Sequence, residues 1–168
     1  MNAYVISGVA LSIAVFARFR SVGKKEMEFS EMKRLVEQSW QKVLPIQDAV
    51  PRIFYPKLFE IDPTTKPLFD QSTMEEQGKK LMKALNLSVA TLGDLDKLVP
   101  VLADLGKRHA HYKVKPEHFD SVGAALIATL AAGLGDAFTP KVKQAWVKLY
   151  GIVVGVMKPA MEKELLNL

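Results

Sequence analysis

Apolar residues recur every three or four positions along most of the chain from residue 30 onward. This spacing is typical of helices that bury one face, whereas no stretch alternates with the period of two that a half-buried strand requires. There are six such faces, and two of them also include a polar residue, Gln77 or His109. The faces consist of Leu35, Val36, Trp40, Val43 and Leu44; Val50, Ile53, Phe54, Leu58 and Ile61; Met74, Gln77, Leu81, Leu85, Val89 and Leu92; Leu102, Leu105 and His109; Phe119, Val122, Leu126, Leu130 and Leu134; and Val142, Trp146, Leu149, Val153, Val156 and Met157. The pattern predicts an all-α bundle of six or seven helices joined by short connections.

Capping residues and prolines predict where these helices begin and end. Ser30 is a candidate N-cap for the first helix, which Pro45 ends. Asp62 followed by Pro63 predicts a short helical segment that ends near Phe69. Pro100 and Pro116 are each predicted to open a helix, and Gly135 is predicted to end the helix that follows Pro116. The last helix is predicted to begin at Thr139 and Pro140 and to be disturbed at Pro159.

Composition places the chain among globular proteins with one core. Its 168 residues are 49% apolar and include no cysteine, which excludes disulfides, thiolate metal sites and cysteine nucleophiles. The formal charge of +5 comes from scattered lysines that never form a run longer than two. Because no basic stripe is interleaved with aromatic residues, we expect no nucleic-acid partner.

The first 17 residues, MNAYVISGVALSIAVFA, carry no charge and are followed by Arg18, Arg20, Lys24 and Lys25. As a helix they would span about 25 Å, slightly less than the roughly 30 Å hydrocarbon core of a membrane. No basic residue precedes the apolar stretch, so a cleaved signal peptide is the least favoured interpretation. A membrane anchor and a packing or homodimer helix through residues 1–20 both remain open.

These features divide the chain into an apolar N-terminal extension with a basic linker, residues 1–29, and a helical domain, residues 30–168. We expect cytoplasmic localisation, with tethering of the domain to a membrane by the extension as the alternative.

All three histidines lie within ten residues, at His109, His111 and His118. His109 continues the buried stripe of its helix, while His111 points about 200° away around the helix axis. Two ligands on one helix need a spacing of three or four, so this pair cannot hold one zinc ion. A lone inward imidazole is most often a hydrogen-bonded core residue, although it can also be a ligand.

Two other polar side chains share this inward orientation. Gln77 lies on the stripe of Leu81 and Leu85, and Tyr55 borders the apolar face of the second helix. An amide buried without a partner would cost about 1 to 3 kcal/mol. Two donors and one imidazole on three helices therefore indicate a bound molecule that contacts all three.

Four segments carry a resemblance to a known family. In the globins, the tyrosine-bearing second helix and the segment before the haem-stacking phenylalanine are resembled by FYPKLFEIDPTTKPLFD, and the distal helix by EEQGKKLMKAL. The proximal helix with its turn is resembled by LGKRHAHYKVKPEHF, and the final helix by AWVKLYGIV. The chain is most similar to bacterial single-domain haemoglobins related to the globin module of flavohaemoglobins and to neuroglobin-like globins. The resemblance covers about four-fifths of the chain, from Ser30 to Met161.

The resemblance implies a globin fold around a haem b cofactor, with a specific set of site residues. His109 would be the proximal iron ligand, and Tyr55 and Gln77 the distal hydrogen-bonding pair. Phe69 would stack on the porphyrin and Leu81 would close the pocket, and the other implied apolar contacts with the cofactor are Val114 and Phe119. Lys80 and Arg108 are candidate cations for the haem propionates and could equally be plain surface charges.

Two departures from the family pattern bear on the chemistry. Flavohaemoglobins place a tyrosine and a glutamate beside the proximal histidine, and this chain has Phe119 and Met161 at the matching positions. Unless Glu162 reaches the histidine, the electron donation that favours oxygen-splitting chemistry is missing. Pro56 follows Tyr55 directly and predicts a kink in the helix that presents the phenol.

The resemblance implies reversible binding of dioxygen, for transport, storage or delivery. The alternative is nitric oxide dioxygenation, for which an external reductase would have to supply electrons. The sequence favours a ligand binder over an enzyme, and a haem-free helical domain used for partner binding is the third possibility.

Overall fold

The computed structural model describes residues 27–168, and every described element is helical. The helices are α1 Phe29–Val43, α2 Ala49–Ile61, α3 Met74–Ala90, α4 Leu95–His111, α5 His118–Leu134 and α6 Pro140–Leu165. Short 3₁₀ segments span Leu44–Ile46, Pro63–Leu68, Gln71–Thr73 and Gly135–Ala137. The all-α prediction is confirmed for this part of the chain. The predictions for residues 1–26 lie outside the described residues.

Several predicted boundaries coincide with observed caps. The Thr139 hydroxyl accepts from the Val142 N–H at the start of α6, and the Asp62 carboxylate accepts from the Thr64 N–H at the start of the 3₁₀ segment. Gly135 follows α5 with φ of 53°, a conformation that favours glycine. Ser30 is not the first cap, because α1 begins at Phe29, after Glu28.

The proline boundaries were only partly right. Helix α4 begins at Leu95, where the Asp94 carboxylate accepts from the Lys97 N–H, so Pro100 lies inside the helix that it was expected to open. Pro159 likewise lies inside α6. A proline removes a single backbone donor. The fully buried residues Leu98 and Met161 hold these two helices against one core, and this packing outweighs that loss.

The close approach of α4 and α6 depends on one glycine. A Cβ atom placed on Gly106 would lie 2.3 Å from the carbonyl oxygen of Met157 and 2.8 Å from its Cα. Both contacts are with backbone, which cannot rotate away, so the two helices could not pack this closely with any other residue at position 106. The crossing point lies three residues before His109.

Buried residues form two separate clusters. The larger one joins α1, α2, α3, α5 and α6, and the tilted rings of Trp40 and Trp146 lie within it with centroids 5.7 Å apart. The smaller one joins α4 to the start of α5 and the end of α6, and contains Leu98, Leu102, Ala110, Phe119, Met157 and Met161. Val153 packs against both. The helix that carries His109 is therefore separated from the main core.

Residues His118–Ala137 are the one stretch of the described chain long and apolar enough to cross a membrane, judged by length and composition only. Leu126, Leu130 and Leu134 of this stretch are buried in the larger cluster. The same composition is typical of a core helix, which is how α5 is used here.

Candidate functional site

The His109 imidazole is held by its own helix. Its Nδ1 lies 2.7 Å from the backbone carbonyl oxygen of Leu105, one turn earlier. A carbonyl only accepts, so Nδ1 carries the proton and the lone pair of the neutral ring is on Nε2. Burial lowers the pKa of His109, which favours the neutral form. The ring therefore presents a metal-binding nitrogen away from its helix.

Two aromatic rings fix the plane of this imidazole. Phe119 stacks on His109 with centroids 6.2 Å apart and an interplanar angle of 25°, and Tyr112 meets it edge-on at 6.0 Å. Phe119 is itself anchored, because the Tyr150 hydroxyl donates to its backbone carbonyl. Helix α6 thus positions the start of α5, which positions the imidazole.

No described carboxylate makes a hydrogen bond or ion pair with His109. Met161 is fully buried in the smaller cluster with Phe119, and Glu162 is exposed. Among residues 27–168, the hydrogen-bond partner that polarises the imidazole is the neutral carbonyl of Leu105. A carbonyl increases the electron donation of an imidazole less than a carboxylate does.

Tyr55 is buried on α2, and its hydroxyl donates to the backbone carbonyl of Gln77 at 3.0 Å. Burial raises the pKa of Tyr55 to about 12, so the phenol keeps its proton at neutral pH. The kink predicted at Pro56 does not interrupt the helix, since α2 runs from Ala49 to Ile61 with Pro56 inside it and exposed. Tyr55 is held by its packing in the larger cluster and by its bond to the Gln77 carbonyl.

Gln77 lies near the start of α3, and its side chain is half-buried. Within residues 27–168 its amide makes no hydrogen bond, so its N–H groups are available to a bound molecule. The small Gly78 lets α3 approach α2, because a Cβ there would lie 2.9 Å from the Pro51 ring. This approach brings Tyr55 within reach of the Gln77 backbone.

Phe69 belongs to an aromatic corner beside Tyr55. Its ring meets Tyr55 edge-on at 5.2 Å and Phe59 at 5.7 Å. The two predicted pocket residues Phe69 and Leu81 pack on the larger cluster yet remain half-buried. Their apolar surfaces are incompletely covered by the protein.

The remaining predicted contacts lie on the proximal side or at the surface. Val114 packs half-buried on the smaller cluster, which also contains Phe119. Lys80 is exposed and makes no ion pair with a described residue, whereas Arg108 pairs with Asp104 on its own helix. Lys80 is therefore the freer of the two cations proposed for the propionates.

The donor set fits a haem and does not fit a bare metal ion. No group of three or more histidine or carboxylate side chains could hold a metal among residues 27–168. His109 supplies one nitrogen, so a metal bound there must bring its other ligands with it, as a porphyrin does. The half-buried apolar residues Phe69, Leu81, Leu105 and Val114 provide incompletely covered surfaces of the kind that a flat apolar ring system would contact.

The other two histidines have different roles. His111 is exposed, with Nε2 3.4 Å from a carboxylate oxygen of Glu164. His118 is buried at the start of α5; its Nδ1 accepts from the Lys115 N–H at 3.1 Å, and its Nε2 lies 3.3 Å from the Thr64 hydroxyl oxygen. His118 thus has both nitrogens engaged, and His111 lies at the surface beside a carboxylate, so neither matches the half-buried position of His109.

Sequence reasoning missed the polar link to which His118 belongs. The Asp62 carboxylate accepts from the Thr64 hydroxyl on one oxygen and from the Ser121 hydroxyl on the other. This link ties the segment that precedes Phe69 to the start of α5, which carries Phe119. The sequence identified Asp62 only as a cap, because its partner Ser121 is distant along the chain.

The Asp62 link predicts an acid-dependent part of the stability. Hydrogen bonds from Thr64 and Ser121 lower the pKa of Asp62 in the folded protein. This stabilisation is present above the unfolded pKa of about 3.9 and is lost as the pH falls through the lower folded pKa. In denaturant titrations, Asp62→Asn should be less stable than the wild type at neutral pH, and the difference should shrink towards pH of about 3. Asp136→Asn, at an exposed turn, is the control; an equal pH dependence in both variants would contradict this role of Asp62.

Two open clefts of about 440 and 420 Å³ flank α1 and share Gln41 in their linings. Neither is lined by a predicted site residue, and the first is formed by α1, Ala137 and Val142. They lie away from His109, Tyr55 and Gln77.

The comparisons with known proteins identify the family of the chain. The family model described as Globin matches residues 52–157, which is more than half of the chain. The chain belongs to the globin family. It is 32% identical over 149 residues to a neuroglobin of Tetraodon nigroviridis, covering 80% of this chain and 92% of that protein. Globins bind haem, and through it gaseous ligands such as dioxygen.

Two further relatives show how far the likeness extends. This globin is 31% identical over 116 residues to a flavohemoprotein of Bacillus subtilis (strain 168), covering 66% of this chain but only 29% of that protein. The solved structure of a bacterial globin from Campylobacter jejuni superposes with a TM-score of 0.71 at 21% identity, covering 83% of this chain and 99% of that one. The structural match confirms the predicted globin fold.

Proposed function

We propose that this globin holds haem b through His109 and binds dioxygen reversibly. The observation that carries the proposal is the orientation of His109, whose Nδ1 is bonded to the Leu105 carbonyl so that Nε2 is the free nitrogen. When bound, the haem supplies an iron with one position for a gaseous ligand. The family and the single-nitrogen donor set support this assignment.

Tyr55 and Gln77 would supply the hydrogen bonds that hold dioxygen, which carries partial negative charge once bound. Gln77 can donate without breaking another bond, because its amide has no partner among the described residues. Tyr55 must first release the Gln77 carbonyl, which lies 3.0 Å from its hydroxyl. The net gain from Tyr55 is therefore smaller, since one hydrogen bond replaces another.

This difference predicts unequal effects of two substitutions on the release of dioxygen. Gln77→Leu should accelerate release about tenfold, which corresponds to about 1.4 kcal/mol. Tyr55→Phe should accelerate release by less than about fivefold. Stopped-flow displacement of dioxygen measures both rates. Leu85→Met, a conservative apolar change on the same helix, is the control, and unchanged release in both distal variants would contradict the assignment.

Nitric oxide dioxygenation is the second candidate, and the likeness to a flavohemoprotein favours it. That reaction oxidises nitric oxide to nitrate and requires one electron for each turnover, which a separate reductase would supply. Since His109 bonds to a neutral carbonyl and to no carboxylate of the described part of the chain, ligand binding is favoured instead. Mixing the oxygen-bound protein with nitric oxide, with and without a reductase, separates the two functions. Sustained turnover with the reductase indicates the enzyme, whereas a single turnover indicates the binder.

A haem-free role is tested by absorption alone. Purified protein should show an intense band near about 400 nm, which is a general property of haem. Its absence after expression with adequate haem supply would overturn the proposed cofactor.

A further inference from the structure

His118 closes the short connection between the helix that carries the proximal histidine and the helix that carries Phe119. Its backbone N–H donates to the Lys115 carbonyl at 3.0 Å, and its Nδ1 accepts from the Lys115 N–H at 3.1 Å. One residue therefore binds both polar groups of the Lys115 backbone. The N-cap residue Glu117 makes no side-chain cap bond with a described residue, so the His118 imidazole fixes the turn from which α5 begins.

The hydrogen bonds around the His118 ring have one consistent direction. The Asp62 carboxylate, whose pKa is lowered by bonds from Thr64 and Ser121, is ionised at neutral pH and only accepts. The Thr64 hydroxyl donates to it at 2.5 Å, so His118 Nε2, 3.3 Å from the hydroxyl oxygen, is the donor in the next bond. A proton on Nε2 leaves the lone pair of Nδ1 for the Lys115 N–H. The neutral imidazole therefore satisfies both of its partners at once.

The bond between His118 and Thr64 reaches far beyond this turn. Thr64 lies 54 residues earlier in the chain, in the 3₁₀ segment Pro63–Leu68. A second bond, from the Ser121 hydroxyl to the Asp62 carboxylate at 2.8 Å, joins the same two parts of the chain. His118 is buried, where water competes little for a hydrogen bond. A turn by itself needs neither bond, so the two bonds hold the start of α5 against the 3₁₀ segment.

Phe119, the next residue of α5, is held by this anchoring from one side and by α6 from the other. The Tyr150 hydroxyl donates to the Phe119 carbonyl, and Gly123 makes room for the Tyr150 ring. A Cβ atom on Gly123 would lie 2.5 Å from Cε1 of that ring. The Phe119 ring stacks on His109 with an interplanar angle of 25°. The position of the stacked ring therefore depends on the contacts of both Tyr150 and His118.

We propose that His118 is a positioning residue for the proximal histidine. By joining Thr64 to the turn before α5, it holds Phe119 against His109 and so limits rotation of the imidazole. No hydrogen bond joins His118 to His109 in the described part of the chain, so His118 acts through Phe119. The inference rests on the proposed function, in which His109 binds the haem iron. Contacts that orient a metal ligand also tune the metal that it binds.

The stretching band of the iron–histidine bond tests this role in the ferrous haem-loaded protein without a gaseous ligand. Resonance Raman spectra of Phe119→Leu give the shift of the band that follows when the stacked ring is lost. His118→Ala should shift the band in the same direction, because Phe119 is then no longer anchored to the 3₁₀ segment. Thr64→Val removes the distant bond and keeps the turn, so it should give a smaller shift in that direction. A band at the wild-type position in Thr64→Val and His118→Ala would overturn the proposal.

Thr129→Ala is the matched control, since it removes another buried hydrogen-bonding side chain from the same helix. The Thr129 hydroxyl donates to the Ala125 carbonyl at 2.7 Å, within α5. The band of this variant should stay at the wild-type position. A shift equal to that of His118→Ala would overturn the proposal, because general loosening of α5 would then be the cause. Thr64→Val keeps the test decisive if His118→Ala does not fold.

The haem absorption of the wild type is measured first, so a failure of the proposed function is recognised separately. If the purified protein carries no haem, the proposed function fails, and the role of His118 is read from proton NMR of the His109 ring. The ring current of the stacked Phe119 shifts these signals. His118→Ala should move them towards their positions in Phe119→Leu, and signals that stay at their wild-type positions would overturn the proposal.

Discussion

Replacement of His109 by alanine is expected to abolish stable haem binding. His109 is half-buried, and its Nδ1 is bonded to its own helix so that Nε2 is left for the iron, whereas His111 is exposed and both nitrogens of His118 have hydrogen-bonding partners. Losing an outer-shell partner of a metal ligand costs about 10- to 100-fold in affinity, and losing the ligand itself should cost more. The measurement is the rate at which haem passes from the purified protein to an excess of a haem-free acceptor.

His111→Ala is the matched control for this experiment, because it removes an imidazole from the same helix two residues away. His111 is exposed and contacts Glu164, so its loss should leave haem transfer within about twofold of the wild type. Equal haem loss in the two variants would contradict the assignment of His109. Rescue of the His109→Gly variant by added imidazole would support it further.

Gly106→Ala is expected to destabilise the protein by roughly 2 to 3 kcal/mol, because the added methyl group would overlap the Met157 backbone. The overlap outweighs the gain of about 1 kcal/mol that alanine brings to a helix. Relief requires α4 to move away from α6, and α4 carries His109. The variant should therefore also lose haem faster than the wild type. Guanidinium unfolding measures the first effect and haem transfer the second.

Gly151→Ala, on the exposed side of α6, provides the contrast. No atom lies within 4 Å of a Cβ placed there, so alanine should leave stability unchanged or raise it by up to about 1 kcal/mol. A Gly106→Ala variant as stable as Gly151→Ala would show that α4 and α6 do not pack as closely as described.

The sequence predicted the helices from their apolar period, but it predicted some of their ends incorrectly. Asp62, Thr139 and Gly135 mark boundaries through local hydrogen bonds or backbone conformation, which neighbouring residues determine. Pro100 and Pro159 were expected to begin or disturb helices and lie inside them instead. Their effect depends on Leu98 and Met161, whose burial is a property of the folded protein and not of the local sequence.

For the candidate site, too, the features that depend on one helix follow from the sequence, and the contacts between helices do not. The inward position of His109 follows from the stripe of Leu102 and Leu105, and the bond to the Leu105 carbonyl follows from helical geometry. The stacking of Phe119 on His109 is a contact between two helices, which periodicity cannot specify. The bond from Tyr55 to the backbone of Gln77 also depends on how closely α2 and α3 approach. Such contacts required coordinates.

Family resemblance supplied what the residue pattern alone could not. Three inward polar side chains indicated a bound molecule without identifying it, and the resemblance identified haem. The structure adds that the donor set contains a single nitrogen, with no cluster of metal ligands among residues 27–168. The polar link through Asp62, Thr64 and His118 was not anticipated by either approach.

A crystal structure of the haem-loaded protein tests the central claim most directly. The account predicts a bond between the iron and His109 Nε2, with Nδ1 still donating to the Leu105 carbonyl and with Tyr55 and Gln77 on the opposite face of the porphyrin. An iron bound by His111 or His118, or a porphyrin that lies away from α3 and α4, would contradict it.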